Sequence, residues 1–335
     1  MYQTSNSFKI FRTLVLIGAI LALCVVVLGA YVRLTDAGLG CPDWPGCYGA
    51  LTVPQSEAAI QNAQSAFPHS TVLVGKAWRE MTHRYLAGTL GLIVLAIFIF
   101  GWRAKHEIKA SAWLPAFLVV LIAFQAMLGM WTVTMLLKPA IVSAHLLGGM
   151  STLAMLVWLA HRHWGHYSAN IIHFYPLKLA IRFALLILFI QIFLGGWTST
   201  NYAALACTDF PTCHSVWIPV MDFKDAFHLV RELGQSANGG LLTLASITAI
   251  QWTHRLGALI TLIYLGVVAL SILKYWQLKR LGVVLLLVLL AQISLGIANL
   301  ILHLPLVLAV AHNFTAGLLV IIVVMLNSKI TSAKK

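Results

Sequence analysis

Charged residues are scarce in this chain. Asp, Glu, Lys and Arg make up 9% of its 335 residues, only nine residues are acidic, and hydrophobic residues make up 60%. This composition excludes a water-soluble domain of this size and indicates a polytopic membrane protein. The strict alternation of apolar and polar residues that marks a strand is also absent. The spans are therefore predicted to be helices, because every backbone polar group in lipid must be satisfied internally.

Processing signals are lacking as well. The first apolar stretch has no small-residue cleavage site, has a counterpart later in the chain, and follows no Arg/Ser-rich transit segment. We therefore expect it to be retained as a membrane span. A bacterial inner membrane is the simplest location that fits.

Eight apolar stretches are long enough to cross a bilayer. They are roughly 11–32, 72–101, 112–136, 139–160, 177–199, 243–273, 281–301 and 305–327. In this eight-span topology, fourteen of the 22 basic residues fall on one side. They are Lys9, Arg12, Arg103, Lys105, Lys109, Arg162, Lys178, Arg182, Lys274, Lys279, Arg280, Lys329, Lys334 and Lys335. The positive-inside rule places that side, with both termini, in the cytoplasm. The net charge of +13 is thereby explained by topology and lipid contact, and no nucleic-acid partner is expected.

The two halves of the chain resemble each other. Segment 28–47 reads LGAYVRLTDAGLGCPDWPGC and segment 194–213 reads LGGWTSTNYAALACTDFPTC, at an offset of 166. A Gln-x-x-Leu-Gly pattern recurs at Gln125 and Gln292. We predict two tandem four-helix halves, 1–165 and 166–335, related by a pseudo-two-fold axis along the membrane normal.

Each half carries a cysteine pair in a long extracytoplasmic loop. Local disulfides Cys41–Cys47 and Cys207–Cys213 are predicted on this oxidising face, because only local pairing preserves the repeat. The alternative is a redox-active thiol relay. Cys24, alone within the first span, is predicted to be a small core residue.

Four histidines lie in apolar stretches, where an ionisable side chain is costly and marks a functional candidate. They are His83, His145, His254 and His312. Each is 16 to 20 residues from the cytoplasmic end of its helix, or about 24 to 30 Å. A common depth and one pair per half meet the needs of two bis-imidazole haem sites.

Small residues follow the histidines on the same helix face, at position i+4. They are Ala87, Gly149, Ala258 and Ala316. A flat porphyrin needs such a surface beside its iron ligand, and Gly148 and Gly257 at i+3 add to it. The alternative is close helix packing. Zinc is disfavoured, because two nitrogens leave its coordination incomplete.

The halves differ next to the first histidine. Glu80 lies one turn before His83, whereas Gln251 holds the matching place before His254. A carboxylate can accept protons or stabilise positive charge, which an amide cannot do. This predicts a reactive haem in the first half and an electron-carrying haem in the second. The alternative is that Glu80 is a solvated helix-start residue paired with Lys76 or Arg84.

The arginine after each first histidine is a candidate for contact with haem propionates. These residues are Arg84 and Arg255, and the alternative is that both extend outward to water.

In combination, five segments resemble the haem A synthase family over nearly the whole chain. They are EMTHR (80–84), AHLLGG (144–149), QWTHR (251–255), AHNFTAG (311–317) and RLTDAGLGCPDWPGC (33–47). The resemblance implies oxidation of the C8 methyl of haem O to a formyl group by successive hydroxylations. It also implies haem O on His83 and His145, a haem b cofactor on His254 and His312, and an essential Glu80.

Further partners are expected from this resemblance. They are the product haem A, an unidentified electron partner and the haem O-producing enzyme. The second hypothesis is a di-haem b-type electron carrier. The third is the thiol–disulfide relay.

Overall fold

The structure, a computed structural model, describes residues 4–108, 113–164, 175–236 and 238–331. Within them, eight helices are long and apolar enough to cross a membrane, as predicted. They are α1 (Asn6–Leu34), α3 (Val74–Arg103), α5 (Leu114–Thr134), α6 (Pro139–Trp164), α7 (Tyr175–Thr200), α9 (Leu244–Ile272), α10 (Trp276–Ile301) and α11 (Leu306–Thr331). Shorter helices are α2 (Glu57–Ala66), α4 (Lys105–Ile108) and α8 (Phe223–Ala226). The predicted boundary at 165/166, and Lys109, Lys334 and Lys335, lie outside the described residues.

A polar residue caps the N-terminus of α1 and of α9. The Ser5 hydroxyl accepts a hydrogen bond from the Phe8 N–H at 3.1 Å, so α1 begins five residues before its predicted span. The Thr243 hydroxyl likewise accepts from the Ser246 N–H at the start of α9. Such caps satisfy N–H groups that have no partner within the helix.

The spanning helices pack with the same neighbours in each half. In the first half, α1 packs on α3, α3 on α5, α5 on α6 and α6 on α1. In the second half the corresponding contacts join α7 to α9, α9 to α10, α10 to α11 and α11 to α7. The two groups of four meet through α1 with α11, α6 with α7, and α6 with α11.

Tight turns join α5 to α6 and α10 to α11. Leu136 and Leu137 have φ values of 50° and 59°, and His303 and Leu304 have values of 55° and 61°. The left-handed region is unfavourable for residues other than glycine, at roughly 1–2 kcal/mol each. The same backbone conformation at both turns reverses the chain so that α6 and α11 return beside the helices that precede them.

The apolar core fills the end of the bundle away from the cysteine loops. Phe11 of α1, Leu153 and Leu156 of α6, and Val320 and Val323 of α11 are all at most 1% exposed. At the other end, nearer the cysteine loops, the four histidines line a cavity that also touches loop residues such as Trp44 and Phe210.

Candidate functional site

The four predicted histidines line one cavity of about 1800 Å³. His83 of α3 and His145 of α6 line it from the first half, and His254 of α9 and His312 of α11 line it from the second. Pockets for one small ligand typically measure about 300–1,000 Å³. The cavity therefore has room for more than one such ligand, with a histidine pair in each half.

In the first half, both imidazoles lie against a glycine of a neighbouring helix. A Cβ atom at Gly29 of α1 would lie 2.9 Å from Cε1 of His83, and one at Gly129 of α5 would lie 3.4 Å from Cε1 of His145. The first distance is shorter than real Cβ contacts, so Gly29 is needed for this ring position. Neither glycine was assigned a role from the sequence.

The second half repeats this arrangement. A Cβ atom at Gly195 of α7 or Gly296 of α10 would lie 3.1 Å from Cε1 of His254 or His312, respectively. Gly129 and Gly296 each end a Gln-x-x-Leu-Gly pattern, which was the sequence signal for this contact. Each of the four rings thus lies between its own helix and a glycine of the spanning helix that precedes it.

Of the small residues expected to flank a flat ligand, all four at position i+4 line the cavity. Gly148 and Gly257 have a different role. A Cβ atom at Gly148 would overlap the side chain of Gln125, and one at Gly257 would overlap that of Gln191. These two glycines therefore make room for glutamines of the adjacent helices, so the expectation that they face the ligand is wrong.

Two glutamines contact histidine rings in the second half. Gln191 Nε2 lies 3.1 Å from Nδ1 of His254, and Gln292 Nε2 lies 3.1 Å from Nε2 of His312. Sequence reasoning treated Gln292 only as a marker of the repeat and missed Gln191. The signal for Gln191 was the same Gln-x-x-Leu-Gly pattern, at 191–195.

Nδ1 of His83, His145 and His312 is buried, with no hydrogen bond of full geometry among the described residues. A backbone carbonyl of the neighbouring helix lies close to each ring as a weak acceptor, that of Val25, Gln125 or Gln292 respectively. Each of these rings is therefore oriented by the backbone of the helix beside it.

Glu80 is buried, with 4% of the residue exposed. Its carboxylate forms an ion pair with Arg84 and accepts a hydrogen bond from the Cys41 backbone N–H at 3.0 Å. The alternative that Glu80 is a solvated residue is therefore wrong, because the side chain is buried. The ion pair with Arg84 that this alternative named is present. Glu80 also lines the cavity near His83, which leaves a buried carboxylate beside the first histidine pair.

Gln251 makes the corresponding contact in the second half. It is 5% exposed, its Oε1 accepts a hydrogen bond from the Cys207 N–H, and its Nε2 donates to the Ala204 carbonyl. A neutral amide thus joins helix to cysteine loop as well as the carboxylate does. The charge at Glu80 is not needed for that contact.

The two arginines bind the cysteine loops. Arg84 Nη1 donates to the Asp43 carbonyl at 2.8 Å, and Arg255 donates to the carbonyls of Thr212 and Cys207 at 2.8 and 2.9 Å. Both also line the cavity. Their predicted contact with haem propionates stays a prediction, and loop binding is a role that the sequence did not indicate.

Both predicted disulfides, Cys41–Cys47 and Cys207–Cys213, are confirmed. Cys24 is exposed on α1, so its prediction as a core residue is wrong. The periodicity of a uniformly apolar helix does not reveal which face meets lipid.

An aspartate organises the backbone of each cysteine loop. Asp43 accepts hydrogen bonds from the N–H groups of Tyr48 and Gly49 at 2.6 and 2.7 Å. Asp209 accepts from the N–H groups of His214 and Ser215 at 2.8 and 2.9 Å, and from the Thr212 hydroxyl. These donors hold the pKa of Asp209 well below its ordinary value, the Thr212 hydroxyl most strongly.

A polar contact joins the halves beside the cavity. Arg33 Nη2 donates to the Ser199 carbonyl at 2.7 Å, and the Tyr202 hydroxyl donates to Asp36 Oδ1 at 2.9 Å. The Arg33 guanidinium also lies over the Tyr202 ring, 4.2 Å from its centroid. In both hydrogen bonds the partners are 166 residues apart, which is the offset between the related segments. Sequence reasoning missed this contact.

Among the described residues, no group of three or more His, Cys, Asp and Glu side chains is arranged to hold a metal ion. The cavity instead presents histidines in pairs. Paired imidazoles suit an iron whose other ligands come from a porphyrin, so the donor set fits haem.

Fold and site together define a multi-pass membrane protein whose cavity is lined by two histidine pairs. Residues 12–324 match the family model described as COX15-CtaA, cytochrome oxidase assembly protein, and the chain belongs to that family.

Among its relatives, the haem A synthase of Shewanella oneidensis is 44% identical over 312 residues, covering 92% of this chain and 93% of the relative. That of Rickettsia felis is 27% identical over 331 residues, covering 92% and 94%. That of Halalkalibacterium halodurans is 28% identical over 254 residues, covering 75% and 77%.

Proposed function

We propose that the histidine-lined cavity is the site at which this membrane protein, a haem A synthase by its family and relatives, oxidises haem O. One observation carries the proposal. Two histidine pairs line one cavity, and only the first pair has a buried carboxylate, Glu80, beside it. The matching position beside the second pair is the neutral Gln251.

The first half is the substrate site in this proposal, with His83 and His145 binding the iron of haem O. The second half holds a resident haem b through His254 and His312. The fit is supported by the glycines that each ring lies against and by the small residues at i+4 that line the cavity. When bound, haem b supplies one-electron transfer.

Glu80 is proposed to act on protons at the reacting edge of haem O. In haem O, the C8 methyl and a propionate are substituents of the same pyrrole ring. With water as the source of the oxygen atom, conversion of the methyl to a formyl group passes electrons to the proposed electron partner and releases protons, which a carboxylate at the cavity wall can accept. Arg84, paired with Glu80, neutralises negative charge nearby, either of Glu80 or of a propionate.

The architecture proposed for this chemistry is the repeat 1–165 and 166–335, with the pseudo-two-fold axis along the membrane normal. The equal packing of helices in each half and the contacts at an offset of 166 residues support it. The excess of basic residues opposite the cysteine loops supports cytoplasmic termini in a bacterial inner membrane. The product haem A, the haem O-producing enzyme, an electron partner and bilayer lipid remain the proposed partners.

Haem extraction from purified variants tests the assignment. His254→Ala and His312→Ala should lose the resident haem b, because each leaves iron with one protein ligand. His83→Ala and His145→Ala should retain haem b but stop conversion of haem O. Two identical haems b in the parent protein, with no haem O or haem A, would instead support the electron carrier. Haem A formation that survives all four substitutions but fails without the cysteines would support the relay.

A further inference from the structure

The groove between α3 and α5, here called the seam of the first half, differs from the equivalent groove between α9 and α10 in the second half. On α3, Gly88 and Gly91 line the cavity five and eight residues beyond His83. On α9, the positions five and eight residues beyond His254 are Leu259 and Leu262, which also line the cavity.

The neighbouring helix shows the same difference. Ala126 lies 19 residues before His145 on α5, and Ile293 lies 19 residues before His312 on α10. Both line the cavity, and Ala126 is exposed. At all three matched positions, the first half has a small residue where the second half has a large aliphatic one.

The seam is also open in the structure. A Cβ atom at Gly88 or Gly91 would meet no described heavy atom within 4 Å beyond its own helix. Gly88 is exposed, and Leu92, one turn further along α3, is 70% exposed; both also line the cavity. The cavity is therefore open on the side formed by α3 and α5.

The depth of the opening fits an amphipathic ligand. Gly88 and Gly91 lie about 7.5 and 12 Å beyond His83 along α3, away from the cysteine loops and Arg84. The polar propionate edge of a haem belongs near the arginine and water. Its apolar substituents belong towards the bilayer centre.

We propose that Gly88, Gly91 and Ala126 form a lateral portal through which the isoprenoid chain of the substrate haem extends into the bilayer. This inference rests on the proposed binding of haem O to the first half. Lipid is as apolar as the chain, so enclosing the chain in protein would gain little and would cost its freedom. The larger side chains of Leu259, Leu262 and Ile293 narrow the equivalent seam beside a resident haem that carries no such chain, although Leu259 is itself 52% exposed.

The portal also explains how one cavity can exchange its substrate and keep its cofactor. Haem A carries the same isoprenoid chain as haem O, so product leaves by the route through which substrate enters. Both movements take place within the membrane and avoid water.

The test replaces Gly88 and Gly91 with leucine, the residue found at the matched positions 259 and 262 of the second half. The double variant Gly88→Leu/Gly91→Leu has space for its new side chains, so it should fold. Its affinity for haem O should fall about tenfold or more, as expected when a filled site must accept extra methylenes. Its affinity for protohaem, which has a vinyl group in place of the isoprenoid chain, should stay within about threefold of the parent value.

Gly266→Leu is the matched control, because Gly266 lies on α9 with no described atom within 4 Å of its Cβ position and does not line the cavity. It should bind both haems as the parent does. Unchanged haem O affinity in the double variant, or equal loss of both haems, would overturn the portal. So would a changed oligomeric state with unchanged haem selectivity, because the glycines would then serve packing between copies.

Failure of the underlying site assignment gives a different result. Retained haem O binding in His83→Ala would overturn the assignment of the substrate to the first half. Unchanged selectivity in Gly88→Leu/Gly91→Leu, with haem O binding lost in His83→Ala, would overturn only the portal.

Discussion

The Glu80 carboxylate accepts a hydrogen bond from the Cys41 N–H at 3.0 Å, which connects the proposed reacting group to the disulfide loop above it. Gln251 accepts the equivalent bond from Cys207. Gln251 shows that a neutral amide is enough to bind the loop. A carboxylate at Glu80 is therefore not required for that hydrogen bond, and its negative charge points to a chemical role. The two halves thus provide their own comparison between structural and chemical roles.

Glu80→Gln should stop haem O oxidation while both haem sites stay filled. The new amide can still accept from Cys41, as Gln251 does from Cys207, so the loop should keep its place. General acid–base assistance typically contributes about 10²–10⁴-fold, and the fall in haem A formation should be of that order. Chromatography of extracted haems should show haem O or its hydroxylated intermediate. Haem A formation at the parent rate would reduce Glu80 to a structural residue.

Gly29→Ala and Gly195→Ala should each disturb one haem site. The added methyl would lie 2.9 Å from the His83 ring in the first variant and 3.1 Å from the His254 ring in the second. Overpacking of this kind typically costs about 1–3 kcal/mol. Haem O affinity should fall in Gly29→Ala, and haem b content should fall in Gly195→Ala. Absorption spectra of the reduced proteins distinguish the two, and the opposite pattern would reverse the assignment of the halves.

Cys41→Ser and Cys207→Ser should lower stability modestly. Each disulfide closes a short loop, so its contribution should be below the roughly 3 kcal/mol of a fifteen-residue loop. Thermal unfolding in detergent measures the loss. Haem A formation should persist in folded protein, since the proposed chemistry uses the histidines and Glu80. Complete loss of activity at unchanged stability would favour a redox role for the thiols.

Asp209→Asn should loosen the second cysteine loop at neutral pH. The folded-state pKa of Asp209 is lowered, so its ionised form stabilises the loop above the pKa of an unfolded aspartate. That contribution is lost only as the pH falls through the lower folded-state pKa. Hydrogen exchange of the His214 and Ser215 amides should be faster in the variant. Parent protection that already fades near pH 6 would contradict this account.

The sequence carried enough information to predict the spans, the disulfides and the histidine pairs. Length and apolarity define a span, and a histidine in lipid is costly enough to identify a site. The loop carbonyls that Arg84 binds and the glutamine that packs against Gly148 could not be predicted from the sequence. Helical periodicity shows which residues share a face, but the rotation and register of adjacent helices decide what that face meets. Thus Gly148 receives Gln125, and Arg84 binds the backbone of the loop that Glu80 also contacts.

The contacts of Arg33 with Ser199 and of Asp36 with Tyr202 join positions that are counterparts in the proposed repeat. In a symmetric dimer of identical chains, a residue on the two-fold axis meets its own copy, so arginine would face arginine and aspartate would face aspartate. Covalent joining of two unlike halves removes that constraint. The Tyr202 hydroxyl can then donate to the Asp36 carboxylate on the axis itself, whereas a homodimer of the first half would bring two Asp36 carboxylates together there.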